Sequence, residues 1–189
     1  MSMPFDNQSI LPALRRMKDF EYLLNSSYTY IVLLETHISQ LESIMKTFKK
    51  YNKKVLLHAE LVQGLNTNNQ AVEYLCHNIR PDGLISTRSK TIALAKQEGL
   101  ITIQRLFLLD SLALQSGYKI LERSQPDFIE VLPGGMPQII PEIKEKTGIP
   151  VIAGGLIRTP EDKDRALSHG SEAVTTSNKE LWKSHTPSY

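Results

Sequence analysis

The sequence predicts an α/β fold: a compact (β/α)8 barrel, similar to a TIM barrel, in one domain over residues 1–189, with its core over about 9–182 and short terminal tails. Eight short apolar runs have the length of buried strands, and each is followed by a helical pattern. The runs start about 20 to 30 residues apart, as single strand–helix units with parallel strands require. Anion-binding signals follow the seventh and eighth runs, where such barrels bind phosphate. Because barrels usually need at least about 200 residues, an open flavodoxin-like sheet stays as the alternative.

The first four strand–helix units fill the first half of the chain. Strands are predicted over residues 9–14, 30–34, 55–60 and 83–88, and helices over 16–24, from 39, over 71–79 and over 89–98. Pro12 lies inside the first strand, where proline fits only near an edge, an end or a bulge. Ser39 and Glu42 have the spacing of a capping box that starts the second helix. Alternation in the third strand places His58 and Glu60 on one face.

The second half repeats the pattern. Strands are predicted over residues 100–106, 127–132, 150–153 and 173–176. The fifth helix starts at Asp110 or Ser111 and continues to about residue 123. Pro141 is compatible only with a first helical turn, so the sixth helix starts near Ile140. Thr159 caps the seventh helix, and the eighth is very short, over residues 178–182.

Two signals indicate a phosphate site after the last two strands. Gly154 and Gly155 follow the seventh strand, where missing side chains let backbone N–H groups approach a ligand. Ser177 and Glu180 have capping-box spacing and open the short last helix, whose N-terminus favours an anion. We therefore expect the phosphate of a ligand against the backbone of Gly154, Gly155, Thr176 and Ser177. The alternative is that both signals only turn the chain.

The composition is that of an ordinary globular protein. A net charge of +2 is too small to indicate nucleic-acid binding by itself. No apolar run approaches the roughly 20 residues that span a bilayer, and the N-terminus lacks the order of a secretion signal, so we expect a cytoplasmic protein that does not contact membranes. Cys76 is the only cysteine, which leaves no disulfide or zinc site, and we expect neither a metal nor a cofactor.

Polar residues gather where the strands of a barrel would end. The candidates are Glu35, His58, Glu60, Arg88, Gln104, Arg105 and Glu130. His58 and Glu60 could transfer protons, and Arg105 or Arg88 could pair with a phosphate or a carboxylate. The alternative is that these side chains pair among themselves and fill a polar barrel end. No residue is assigned a catalytic role.

A basic cluster lies at the end of the second helix and in the following turn. Lys49, Lys50, Lys53 and Lys54, with Lys46 before them, could bind a phosphate backbone or could simply complement the helix dipole. Arg15, Arg16 and Lys18 form a second candidate for nucleic-acid contact. A homo-oligomer could join patches that are small on one chain.

Six ordered motifs carry a family resemblance. They are ILPAL at 10–14, ISTRS at 85–89, IQRLFLLD at 103–110, PDFIEVLPG at 126–134, AGGLIRT at 153–159 and VTTSNKELW at 174–182. With these motifs the chain resembles the glycerol-3-phosphate-responsive antiterminators of glycerol uptake operons. The resemblance implies a barrel-fold regulator that senses glycerol 3-phosphate and binds the leader of a glycerol-operon messenger RNA, so that transcription passes a terminator.

The chain departs from the family pattern at the mouth. The family often has aspartate where this chain has Glu35 and Glu60, and a charged segment where it has residues 67–70. These departures bear on how the glycerol end is held, for which Glu35, His58, Glu60, Arg105 and Glu130 are the candidates. The competing function is a barrel enzyme that acts on a small phosphorylated metabolite, because the same fold supports many chemistries.

Overall fold

Eight parallel strands close into a barrel in the computed structural model, which describes residues 4–66 and 68–184. The strands are β1 (Ile10–Leu14), β2 (Tyr30–Leu33), β3 (Lys54–His58), β4 (Gly83–Ser86), β5 (Ile101–Phe107), β6 (Phe128–Leu132), β7 (Val151–Gly154) and β8 (Ala173–Thr176). Each strand pairs with the next along the chain, and β8 pairs with β1. The predicted barrel is therefore confirmed and the open sheet is excluded. Of the departing segment at residues 67–70, Thr67 lies outside the described residues.

Eight helices follow the strands in the described part of the chain. They are α1 (Phe20–Leu24), α2 (Ile38–Lys50), α3 (Asn69–Tyr74), α4 (Ser89–Gln97), α5 (Ser111–Ser124), α6 (Ile140–Thr147), α7 (Pro160–Ser168) and α8 (Lys179–Ser184). A π-helical turn, Leu75–Ile79, extends α3. The barrel is small partly because two of its helices are short: α1 has five residues and α8 has six.

Two apolar clusters stabilise the barrel. One fills its interior and includes Leu11, Val32, Leu56, Ile103 and Ile152, none of which is more than 1% exposed. The other lies between the strands and the surrounding helices. Successive residues of a strand alternate between the two clusters, as the pleat requires. The alternation decides which polar side chains can reach the barrel mouth.

The N-terminal end of the barrel is closed by the segment before β1. The ring of Phe5 packs 5.3 Å from that of Tyr30 and 4.6 Å from that of Phe128, measured between centroids. Gln8 is buried beside it, and its Nε2 donates hydrogen bonds to the carbonyls of Ile10 and Tyr30. The open end of the barrel is therefore the mouth at the carboxyl ends of the strands.

Pro12 lies in the middle of β1, in a barrel without sheet edges. β1 pairs with β8 over residues 10–12 but with β2 only at Ala13 and Leu14. The ladder to β2 thus begins after the proline, which has no N–H group to donate. The carbonyl of Tyr30, at the start of β2, accepts a hydrogen bond from the Gln8 side chain.

Two details of the predicted elements are wrong. The start of α2 is capped by His37, whose Nδ1 accepts a hydrogen bond from the Ser39 amide, and Glu42 pairs with Lys46 instead of completing a capping box. β3 ends at His58, and Glu60 lies in the following 3-10 turn, Ala59–Leu61. The alternation used to align His58 with Glu60 therefore does not apply.

Candidate functional site

A pocket of about 460 Å³ opens at the barrel mouth. Three arginines line it: Arg15 after β1, Arg105 on β5 and Arg158 in the loop after β7. The loops after β7 and β8 contribute Gly155, Leu156, Ile157, Thr176, Ser177 and Asn178, and Ala13, Val32 and Leu34 form an apolar wall. We call this cavity the mouth pocket. Its cationic lining favours an anionic ligand.

A buried ion pair holds one of the arginines in place. Arg105 and Glu130 are register partners on β5 and β6, and Nε of Arg105 donates to Oε2 of Glu130 at 2.6 Å. The other carboxylate oxygen accepts a hydrogen bond from the Thr175 hydroxyl at 2.6 Å. The side chain of Glu130 is 1% exposed and that of Arg105 is 11% exposed. Because both carboxylate oxygens are engaged, the guanidinium of Arg105 is fixed at the pocket wall.

Gly154 makes room for this ion pair. A Cβ atom there would lie 2.5 Å from Oγ1 of Thr175 and 2.6 Å from Oε1 of Glu130, which no side chain allows. The sequence suggested that Gly154 lets the backbone approach a ligand. In the structure Gly154 is absent from the lining of the mouth pocket, and its missing side chain is explained by the carboxylate network.

Gly155 lines the mouth pocket and has a φ of +73°, which favours glycine. Thr176, at the end of β8, and Ser177, which follows it, also belong to the pocket lining. Three of the four predicted phosphate-contact residues therefore lie beside the arginines in one pocket.

The loops after β7 and β8 are joined by side-chain hydrogen bonds. Oγ1 of Thr176 donates to the carbonyl of Ile157 at 3.0 Å and accepts from the amide of Asn178 at 3.1 Å. Nδ2 of Asn178 donates to the carbonyl of Arg158 at 2.9 Å. These bonds fix the two loops relative to each other.

The predicted capping box of Ser177 and Glu180 is wrong by one residue. The amide of Glu180 donates to Oδ1 of Asn178 at 3.1 Å, and α8 begins at Lys179. The Glu180 carboxylate pairs with Lys183. Serine and asparagine have nearly equal capping preference, so the local sequence could not choose between them. Asn178 is the better-placed residue because its amide group also bonds the loop of Arg158.

His58 and Glu60 form a second polar cluster that does not line the mouth pocket. Oε1 of Glu60 accepts hydrogen bonds from the Ser86 hydroxyl and, at 3.2 Å, from the Thr87 amide. Nδ1 of His58 lies 3.3 Å from Oε2 of Glu60, yet neither atom has a hydrogen-bond partner in the described chain. Burial, and then the charge of Arg105, lowers the pKa of His58 to about 3. The imidazole is therefore neutral near pH 7, and the close contact is not an ion pair.

Glu35 and Gln104 occupy different places from those expected. Glu35 is exposed and does not line the mouth pocket. Its Oε1 lies 3.7 Å from Nε of Arg15, which does line the pocket. On β5, Ile103 belongs to the interior cluster and Leu106 to the helix-side cluster. Because side chains alternate along a strand, Gln104 lies on the helix side, as Leu106 does. Its Nε2 donates to the carbonyl of Ser86.

Arg15 and Arg158 are pocket residues that the sequence did not assign to ligand binding. Arg15 directly follows β1, and Arg158 lies in the loop between β7 and α7. Both positions are at carboxyl ends of strands, which in this fold is where sites are built. That placement is the signal that could have identified them.

The lysine cluster lies at the opposite end of the barrel, where α2 ends and β3 begins. Nζ of Lys53 donates to the carbonyls of Ser26 and Tyr28, and Nζ of Lys54 donates to the Tyr30 hydroxyl at 3.0 Å. Burial lowers the pKa of Lys53. Lys49 and Lys50 are exposed. Two of the four proposed RNA contacts are thus engaged within the chain.

The described ranges contain no group of three or more His, Cys, Asp or Glu side chains that could hold a metal ion. In the same ranges, no helix has the length and apolar character needed to cross a bilayer.

A family model and two solved structures indicate the same family. Residues 10–182 match the family model described as glycerol-3-phosphate responsive antiterminator. A glycerol uptake operon antiterminator regulatory protein from Listeria monocytogenes is 48% identical, with a TM-score of 0.94, 98% of this chain covered and 100% of that chain. A glycerol uptake operon antiterminator-related protein from Thermotoga maritima is 32% identical, with a TM-score of 0.81 and coverage of 93% and 98%. The protein YgcP from Escherichia coli is 31% identical over 173 residues, which are 92% of this chain and 91% of that protein.

Proposed function

Since the chain belongs to the glycerol-3-phosphate responsive antiterminator family, we propose that it binds glycerol 3-phosphate in the mouth pocket and, in that state, a leader RNA of a glycerol operon. The observation that carries the proposal is the convergence of three arginines with the loops after β7 and β8 on one pocket. In this proposal the protein is a regulator in the cytoplasm, where transcripts are made, and it releases its ligand unchanged.

The phosphate group lies between the loops after β7 and β8. Arg15 and Arg158 supply charge, and the backbone at Gly155 and Ser177, which line the same pocket, supplies directed hydrogen bonds. Charge-assisted bonds from a guanidinium to phosphate oxygens are among the strong hydrogen bonds in proteins. The arginines therefore contribute most of the affinity, and the amides fix the orientation.

The glycerol end lies toward the barrel interior. Its carbon atoms contact the apolar wall of Val32 and Leu34, and its hydroxyl groups face Arg105 and Glu130. The remaining candidates for this end, Glu35, His58 and Glu60, stay outside the lining. Glu35 lies beside Arg15, and His58 is close enough to Arg105 to feel its charge.

The RNA surface is proposed at the rim of the mouth. Arg16 and Lys18 follow Arg15 in the loop after β1 and are exposed. Lys49 and Lys50, in contrast, lie at the end of the barrel that Phe5 closes. RNA at the rim would meet the loops that the ligand orders, and such coupling between two ligands is reciprocal.

A gel shift with leader RNA tests the regulator. RNA binding is expected to strengthen by about 5 to 150-fold with glycerol 3-phosphate and to remain unchanged with glycerol. The variant Arg16→Ala/Lys18→Ala should weaken binding and reduce its salt dependence more than Lys49→Ala/Lys50→Ala does.

An assay for ligand consumption runs beside the gel shift and addresses the enzyme alternative. Consumption of the phosphorylated compound without any RNA shift would contradict the regulator. The mouth pocket offers hydroxyl groups at Thr175, Thr176 and Ser177, but the buried imidazole of His58 is outside its lining. No nucleophile and base are therefore paired among the lining residues that the structure describes.

A further inference from the structure

Asp19 is a buried carboxylate between the first and the last loop of the barrel mouth. It ends the 3-10 turn Met17–Asp19, which follows Arg15 and Arg16, and it is 5% exposed. Its Oδ1 accepts a hydrogen bond from Nζ of Lys179 at 2.9 Å, and its Oδ2 lies 3.6 Å from Nη2 of Arg16. The bond from Lys179 holds the pKa of Asp19 below its ordinary value of 3.8, so the carboxylate is ionised near pH 7.

Lys179 links Asp19 to the loop after β8. It is the first residue of α8 and follows Ser177 and Asn178, which line the mouth pocket. A cation in the first turn of a helix is electrostatically unfavourable, so the helix itself does not explain this lysine. Its ammonium group contacts Asp19 and also lies 4.8 Å from the centroid of the Tyr22 ring. The partners of Lys179 are therefore in the segment that follows β1.

Aromatic side chains continue this contact along α8. The ring of Trp182 stacks on that of Tyr22, with 6.2 Å between the centroids, and its Nε1 donates to the carbonyl of Thr176 at 2.8 Å. The hydroxyl of Tyr28 donates to the Trp182 carbonyl at 3.0 Å. Trp182 is 2% exposed and is the only tryptophan in the sequence. Its fluorescence therefore reports whether α8 stays docked.

The two loops that Asp19 joins carry groups that line the mouth pocket. Arg15 precedes the turn that Asp19 ends, and Ser177 precedes α8. Because β8 pairs with β1, these loops are neighbours where the barrel closes. The side chain of Asn178 ties the loop after β8 to the loop after β7. With the pair of Asp19 and Lys179, three consecutive loops form one hydrogen-bonded unit around the pocket.

We propose that Asp19 is a positioning residue of the phosphate site, which holds the loop of Arg15 against the loop of Ser177 and α8. This role rests on the proposed function, since it needs a phosphate in the mouth pocket. The sign of the effect separates positioning from charge. A carboxylate repels a nearby phosphate, so removing a residue that acted only through its charge would strengthen anion binding. Removing a positioning residue weakens binding instead, because the site is no longer preorganised.

Calorimetric titration of glycerol 3-phosphate into Asp19→Asn tests this role. Asparagine keeps the size of the side chain but not its charge, so Lys179 and Arg16 lose their compensating partner. The dissociation constant should rise by about 5 to 20-fold, in the range usual for coupling between two sites. Glu180→Gln is the matched control, because it removes the same charge from an exposed pair with Lys183 on α8. The control should bind as tightly as the unmodified chain or slightly more tightly.

Fluorescence of Trp182 gives a second readout, and thermal unfolding checks that the variants fold. In Asp19→Asn the emission should shift to longer wavelength, and saturating glycerol 3-phosphate should shift it back, because the ligand favours the docked arrangement. If Asp19→Asn does not fold, Lys179→Gln breaks the same contact from a side chain that is 32% exposed. It should weaken binding more than Lys183→Gln, which removes an equal charge from the same helix.

Failure of this role is distinguishable from failure of the proposed function. If the unmodified chain binds neither glycerol 3-phosphate nor inorganic phosphate, the proposed function fails and the role of Asp19 with it. If the unmodified chain binds and the folded Asp19→Asn variant binds as tightly or more tightly, only the role of Asp19 is overturned. Unchanged Trp182 emission in the folded variant would overturn it as well, because α8 would then be docked without the carboxylate.

Discussion

Nε of Arg105 donates to Oε2 of Glu130 at 2.6 Å, and the two residues stand opposite each other on neighbouring strands of the closed barrel. The glutamate is almost fully buried and the arginine reaches the mouth pocket. One carboxylate therefore compensates a cation inside the fold and also holds it at the mouth pocket. A buried charge that loses its partner is strongly destabilising.

Glu130→Ala is expected to lower the free energy of unfolding by about 3–5 kcal/mol, because it leaves the Arg105 guanidinium unpaired. Urea unfolding measures the change. Glu35→Ala is the matched control, since it also removes a glutamate beside a mouth arginine, but from an exposed pair at 3.7 Å. That control should change stability by about 1 kcal/mol or less. Equal losses in the two variants would contradict a special role for the buried pair.

Arg15→Gln should weaken glycerol 3-phosphate binding by about 10 to 100-fold, as expected for a lost charge-assisted hydrogen bond. Arg16→Gln, one residue further along, should leave the affinity nearly unchanged, because Arg16 does not line the mouth pocket. Calorimetric titration compares the two variants. The phosphate assignment fails if Arg15→Gln binds as tightly as the unmodified chain.

Gly155→Asp should abolish detectable binding of glycerol 3-phosphate, because it adds a negative side chain where a phosphate is expected. Gly155→Ala is the control. It carries the same strain at a φ of +73°, about 1–2 kcal/mol, without the charge. Titration should therefore show much weaker binding for the aspartate variant than for the alanine variant. Similar affinities would place the phosphate elsewhere.

Stability should decrease as the pH falls from about 6.5 toward 3. The folded pKa of His58 is about 3, below the ordinary value of 6.5. Between these values the unfolded chain binds a proton that the folded chain does not, so acid favours unfolding, by up to about 1.4 kcal/mol per pH unit. Above pH 6.5 this contribution is constant. His58→Gln should flatten that part of the stability profile in urea unfolding at several pH values, and an unchanged slope would refute the assignment.

The barrel could be predicted because its signals are local. Strand spacing, Pro141 in a first turn and Thr159 as the cap of the seventh helix all depend on residues close in sequence, and all three are confirmed. The details of the site depend on closure of the barrel. Only the register of β5 against β6 brings Arg105 to Glu130, and only packing against Thr175 shows why residue 154 has to be glycine.

Charge patterns were less informative than strand patterns. Lys53 and Lys54 belong to a basic run in sequence, yet their ammonium groups donate hydrogen bonds to backbone carbonyls and a tyrosine hydroxyl of the same chain. Arg15 also belongs to a short basic run in sequence, yet its side chain lines the mouth pocket. A side chain's hydrogen-bond partners decide which of two similar cations remains available, and those partners are distant in sequence.

Closure of the barrel by Phe5 has a kinetic consequence. The ring packs against Tyr30 and Phe128 at the end opposite the mouth, so a ligand in the mouth pocket has to leave along the path by which it entered. In the proposed function, RNA bound over the rim would obstruct that path. Residence of the effector would then last as long as the nucleoprotein complex itself, and a fall in free glycerol 3-phosphate would act only on molecules not yet committed to a transcript.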